Sequence, residues 1–92
     1  MSQQTESIVE ETKKQTERAS ALRAAVSELT LAAITETYGS KNDAMDILLG
    51  ALRTWESAAA TCKESDDMAN YETCFRESLA YQAAMNVLAM KQ

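Results

Sequence analysis

The chain has no histidine and no proline, and among its 92 residues only two glycines (Gly39, Gly50) and two cysteines (Cys62, Cys74). Without histidine, the commonest general base and the commonest metal ligand are both missing. Serine–histidine–aspartate and cysteine–histidine arrangements are therefore excluded within one chain, as are Glu-x-x-His di-iron helices. Two thiolates cannot complete a four-thiolate zinc site unless another chain contributes. Neither glycine has a partner at the spacing of a phosphate-binding loop. No catalytic, cofactor-binding or metal site is expected, so the chain reads as a non-enzyme. The same shortage of turn formers excludes an all-β sandwich or a dinucleotide-binding α/β unit. Helix is what remains.

Long apolar runs are missing too. No stretch approaches the roughly 20 residues of a membrane span. The opening residues, Met1-Ser2-Gln3-Gln4-Thr5-Glu6, have no basic region followed by an apolar core, so no signal peptide is expected. The expectation is a cytoplasmic chain with reduced thiols and no membrane contact. Large side chains are scarce as well. Hydrophobic residues make up 46% of the chain, but sixteen of them are alanine and two are cysteine, leaving twenty-four large ones. That suffices for one domain over 1–92, all-α and small, with little surplus of burial over ordering entropy. Fourteen acidic side chains against nine basic ones give a net charge of −5, which opposes general affinity for nucleic-acid backbone or anionic lipid.

The pattern that is present predicts three helices, at about 8–39, 41–63 and 66–90, as a bundle in which a long polar N-terminal helix precedes a helical hairpin. Residues 1–20 are polar. Ser7 and Glu10 fit a capping box, and Glu10–Lys14 and Lys13–Glu17 are opposite-charge pairs four apart. This segment is expected to be a solvated, partly frayed helix or an arm ordered by a partner. Leu22, Val26, Leu29 and Ala33 form one stripe; Leu31, Ile34 and Tyr38 form another on a different face. Gly39 sits where a left-handed C-cap belongs, and Ser40 follows as the next N-cap. Met45, Leu48, Leu52, Trp55, Ala59 and Cys62 form the stripe of the second helix, beside a small row of Ala44, Ile47, Ala51 and Ala58. Gly50 suggests close helix contact. Ser65 or Asp66 can cap the third helix, whose stripe is expected at Met68, Tyr71, Phe75 and Leu79, then Ala80, Ala84, Val87 and Leu88, flanked by Tyr81 and Met85.

Other clusters have ordinary explanations. Cys62 and Cys74 lie on opposite sides of the hairpin turn and read as two small buried thiols; a turn just before Met68 would put their sulfurs out of register for a bridge. Glu64, Asp66, Asp67 and Glu72 lack the spaced oxygens and turn glycine of a calcium loop, so capping explains them. Trp55, Tyr71, Phe75 and Tyr81 fall on apolar stripes as core residues, and any exposed one would serve as an interface anchor.

Residues 31–54, with Ile34, Tyr38, Gly39, Met45 and Leu48 at apolar and turn positions, loosely resemble a helix-turn-helix. They are also similar to the helical half of ribbon-helix-helix repressors, with a Gly-Ser-Lys-like turn. These resemblances imply a DNA-binding regulator. Lys13, Lys14, Arg18 and Arg23 would be its basic patch, but Asp43 and Asp46 would face phosphates from the recognition helix. By size and charge the chain is also similar to small acidic phage and immunity-type inhibitors, anti-CRISPR proteins among them, which implies an acidic mimic of nucleic acid. The favoured expectation is a small helical inhibitor or adaptor that covers a functional surface on a partner protein. Self-association as a homodimer is expected too, through Leu31, Ile34 and Tyr38 or the alanine-rich row. Leu31, Ile34, Tyr38, Trp55 and Tyr81 are the candidate partner-binding residues.

Overall fold

A computed structural model describes residues 3–92, with side chains from Ile8 onward. Five helices and no strand are found among the described residues: α1 (Gln3–Gln15), α2 (Glu17–Ala25), α3 (Leu31–Tyr38), α4 (Lys41–Glu64) and α5 (Met68–Met90). They assemble into a rod of 46 × 19 × 18 Å. α4 and α5 form a long antiparallel hairpin, α1 and α2 lie across both, and α3 packs mainly on α4. No helix among the described residues is long and apolar enough to cross a membrane.

α4 is the spine because both of its rows find partners. Leu48, Trp55, Ala59 and Cys62 of one row and Ala44, Ala51 and Ala58 of the other are buried, adjoining on a single face. Small side chains let the shorter helices approach closely. Gly50 plays no part in that approach: it lies exposed, and a Cβ built there would meet nothing within 4 Å. Close contact at Gly50 is therefore ruled out, and it is the neighbouring Ala51 that faces the core.

The two later helices fall close to their expected limits. The first expected helix is broken twice. At Thr16 the backbone departs to φ −108° and ψ 18°. Thr12 and Thr16 each donate a hydroxyl hydrogen bond to the carbonyl four residues earlier, Ile8 O and Thr12 O, both at 2.7 Å. Such back-bonding bends helices. The second break, at 26–30, contains neither glycine nor proline. There Thr30 caps α3 by accepting from Ala33 N at 3.1 Å. α1 begins at Gln3, so Ser7 is inside a helix; the side chain of the expected capping box lies outside the described residues.

Residues 8–20 are also seated more firmly than a solvated arm. Val9, Thr12, Thr16 and Ala19 are buried as one stripe. The threonines act there as compact β-branched bodies whose hydroxyls are already satisfied, so burying them costs little.

The Gly39–Ser40 junction lies where expected, but Gly39 takes a positive φ with ψ −64° and so is not the left-handed helical cap that was expected. Gly39 has φ +108° and donates its N–H to Thr35 O at 2.9 Å, and Ser40 accepts from Asp43 N at 3.0 Å. The hairpin turn is built differently from the expected cap at Ser65 or Asp66. Asp67 N donates to Cys62 O at 2.9 Å and Asp66 N to Lys63 O at 3.1 Å. This is a Schellman pairing, with Asp66 left-handed at φ 59° where glycine is usual. Asp67 is the N-cap of α5 and accepts from Asn70 N at 3.3 Å. At the opposite end Lys41 Nζ donates to Ala89 O at 3.1 Å and Lys91 O at 2.7 Å, tying the start of α4 to the frayed carbonyls of α5.

Candidate functional site

α5 faces inward and outward with unexpected side chains. The buried stripe is Cys74, Ser78, Tyr81, Ala84 and Leu88. Met68, Phe75 and Leu79, expected to lead the core stripe, are instead exposed at 50%, 46% and 53%, and Met90 at 82%. They lie on the opposite side of the helix from the buried stripe, about 150° away at about 100° per residue. Cys62 lies two residues from the end of α4, and Cys74 six residues from the start of α5, yet their side chains are neighbours, near enough for Cys62 to act on the Cys74 thiol. α5 therefore overhangs α4 by about one turn, roughly 6 Å, and Met68 projects past its neighbour. The same geometry corrects the expected mismatch of the two sulfurs: they meet, free and buried. Burial pushes the Cys74 thiol up to about 11 from its ordinary 9.0, with Cys62 adding charge and hydrogen-bond contributions and Glu77 and Asp67 smaller ones. A thiol held protonated in this way is a packing group, not a nucleophile.

Met68, Leu79 and Met90 are spaced eleven residues apart. Eleven residues make three turns plus about 20°, so these three side chains lie almost on one line along the helix. The line is about 33 Å long at the usual rise. Phe75 sits beside it, its ring stacked on Tyr71 with centroids 6.0 Å apart and planes at 14°. Tyr71 and Phe75 continue the surface into a shallow groove of about 250 Å³ shared with Ala59, Ala60 and Lys63 of α4. Along this line Leu79 stands about 16 Å from Met68 and from Met90, with exposed Glu72 and Asn86 between them; the apolar focus is Phe75 and Leu79, two large exposed side chains one turn apart.

The residues singled out from sequence are not brought onto one surface. Ile34, Trp55 and Tyr81 have no exposed area; Leu31 and Tyr38 are half-buried and packed against the core. Trp55 and Tyr81 instead converge on Thr16. Trp55 Nε1 donates to Thr16 Oγ1 at 3.1 Å, and the Tyr81 hydroxyl donates to Thr16 O at 3.4 Å. Each aromatic ring thus places its polar tip on the kink. Among the described residues no buried side-chain N or O lacks a partner.

The basic patch divides. Lys13, Lys14 and Arg23 line a groove of about 660 Å³ between α1, α2 and the hairpin, where Glu10, Glu17 and Glu77 match them in number. Arg23 pairs with Glu77 at 3.0 Å and lies 4.7 Å over the Tyr81 ring. Lys13 pairs with Glu10 at 3.9 Å. Arg18 lies apart, 5.3 Å over the Tyr38 ring. With its charges balanced, the groove offers no excess positive field to a phosphate chain. A ribbon-helix-helix needs a strand upstream of residue 31, where 17–25 is instead helical. On the presumed recognition helix, Asp43 and Asp46 are exposed while Lys41 is engaged with α5. No group of three or more candidate metal ligands occurs among the described residues.

The exposed outer face of α5 departs from the sequence reading, in which Met68, Phe75 and Leu79 were placed in the core because they form a regular helical stripe. The chain was compared with family models, curated proteins and solved structures, and no match was found in any of the three.

Proposed function

We propose that this chain is a non-catalytic protein–protein interaction protein, a small helical inhibitor or adaptor that acts in the cytoplasm by covering a functional surface on a partner. The observation that carries this reading is the aligned apolar face of α5, with Phe75 and Leu79 at its centre. A rigid helix on a hairpin presents such anchors at little entropic cost, because the helix is already ordered before contact. Helix-in-groove recognition reads anchors at this kind of spacing. Both thiols, the Tyr81 hydroxyl and the Trp55 indole are taken up by internal packing and lie away from this face.

The test is capture from the source cell with three baits: wild type, Phe75→Glu, and Arg53→Glu as an exposed control on α4. The reading expects a protein recovered by wild type and by Arg53→Glu but lost with Phe75→Glu. Equal recovery by all three baits would move the contact away from α5 and contradict the proposal.

A further inference from the structure

The outer face of α5 is self-complementary. Its line of Met68, Leu79 and Met90 is symmetric about Leu79, with eleven residues on either side. If a second α5 is laid antiparallel with Leu79 on a two-fold axis, Met68 comes beside the partner's Met90, and Phe75 beside the partner's Ala83. A large ring next to a methyl is the knob-and-gap relation that lets two helices approach. A C2 interface requires this kind of pattern, since one patch must fit itself.

The polar positions on the same face fit the same register. Glu72 falls beside the partner's Asn86, and Arg76 beside the partner's Gln82. Within one chain Gln82 Nε2 donates to Asn86 Oδ1 at 3.3 Å. That bond leaves the Asn86 amide N–H free to donate and the Gln82 carbonyl oxygen free to accept. Glu72 needs donors and Arg76 needs acceptors, and among the described residues neither side chain has a hydrogen bond or ion pair. No like charges are opposed. From this symmetry of apolar and polar positions we infer that the first occupant of the α5 face is a second copy of this chain, paired antiparallel about Leu79. The inference rests on the reading of α5 as the interaction face: self-pairing covers that face until a better-fitting partner displaces the second copy. The seam is a single helix pair, smaller than the roughly 800 Å² per partner of stable interfaces, so the dimer is weak and concentration-dependent.

Sedimentation velocity on the full chain, from low to high micromolar concentration, tests the pairing. Wild type is expected to move from the 10.1 kDa monomer toward twice that mass, and Leu79→Glu to stay monomeric with unchanged helical circular dichroism. Leu79→Cys with oxidised glutathione is expected to give a covalent dimer, because a residue on the two-fold axis meets itself; exposed Thr73→Cys, off the line, is the control and stays monomeric. A wild-type monomer throughout, a dimer that survives Leu79→Glu, or equal cross-linking at both cysteines would overturn the inference. If wild type is monomeric but Phe75→Glu still loses a captured protein, the self-pairing falls and the interaction reading stands. If wild type dimerises through Leu79 and no bait loses a protein, the self-pairing stands and the reading of a heterologous partner falls.

Discussion

The two faces of α5 reverse the usual order. The inner face buries Cys74, Ser78, Tyr81, Ala84 and Leu88, while the outer face exposes Met68, Phe75, Leu79 and Met90. The inner face also meets a stripe in which Thr12 and Thr16 are as buried as Val9 and Ala19. What places a residue inside is the fit of its body and the satisfaction of its polar atoms. Ser78 donates its hydroxyl to Phe75 O at 2.6 Å, and the two threonines bond to their own helix, so each behaves as a small apolar group. The outer side chains are large and apolar, yet about half of each or more stays exposed, even for Phe75 where it stacks on Tyr71.

The sharpest way to break this contrast is to truncate one aromatic residue on each face. Tyr81→Ala should lower the unfolding free energy by about 3–5 kcal/mol, as large-to-small core changes do. Phe75→Ala should change it by less than about 1 kcal/mol at dilution. Urea unfolding of both proteins checks this, and equal losses would abolish the distinction. The polar half of the contrast lies in the threonines. Thr16→Val leaves Trp55 Nε1 buried without an acceptor and should cost about 1–3 kcal/mol. Thr12→Val removes only a local back-bond and should be nearly neutral, as thermal unfolding of the pair will show.

The inner face also carries a pH signature. Because the Cys74 thiol is held up to about 11 when folded against 9.0 when free, the folded state keeps a proton that the unfolded state releases. Stability is then fully present below the free value and falls as pH rises through the window from about 9 to about 11, by roughly 2 kcal/mol. Cys74→Ala should flatten that slope in urea titrations at successive pH values. The smallest effect is at exposed, uncrowded Gly50, where Gly50→Ala should stabilise the protein by about 1 kcal/mol, seen as a higher melting temperature.

Much of the architecture was legible in the chain. The Gly39–Ser40 junction, the limits of α4 and α5 within a few residues, and the two buried rows of α4 follow from capping chemistry and periodicity. The kink at Thr16 was not legible, since threonines bonded back to their own helix do not always break it: Thr54 and Thr61 do the same within unbroken α4. The break at 26–30 carries no glycine or proline to announce it. The orientation of α5 was misread because Met68, Tyr71, Phe75 and Leu79 make a helical stripe as regular as the buried Cys74, Ser78, Tyr81, Ala84 and Leu88, and periodicity alone does not rank the two. The candidate surface was hidden for the same reason: its anchors looked like core.

The most direct measurement is equilibrium urea unfolding of wild type and the Phe75→Gln/Leu79→Gln double variant over a wide range of protein concentration. If the outer face of α5 serves association and not the fold, the wild-type midpoint climbs with concentration, the variant's midpoint stays fixed, and the two coincide at the lowest concentration. A variant midpoint displaced downward by the same amount at every concentration would show that Phe75 and Leu79 hold the monomer together, and would contradict the account.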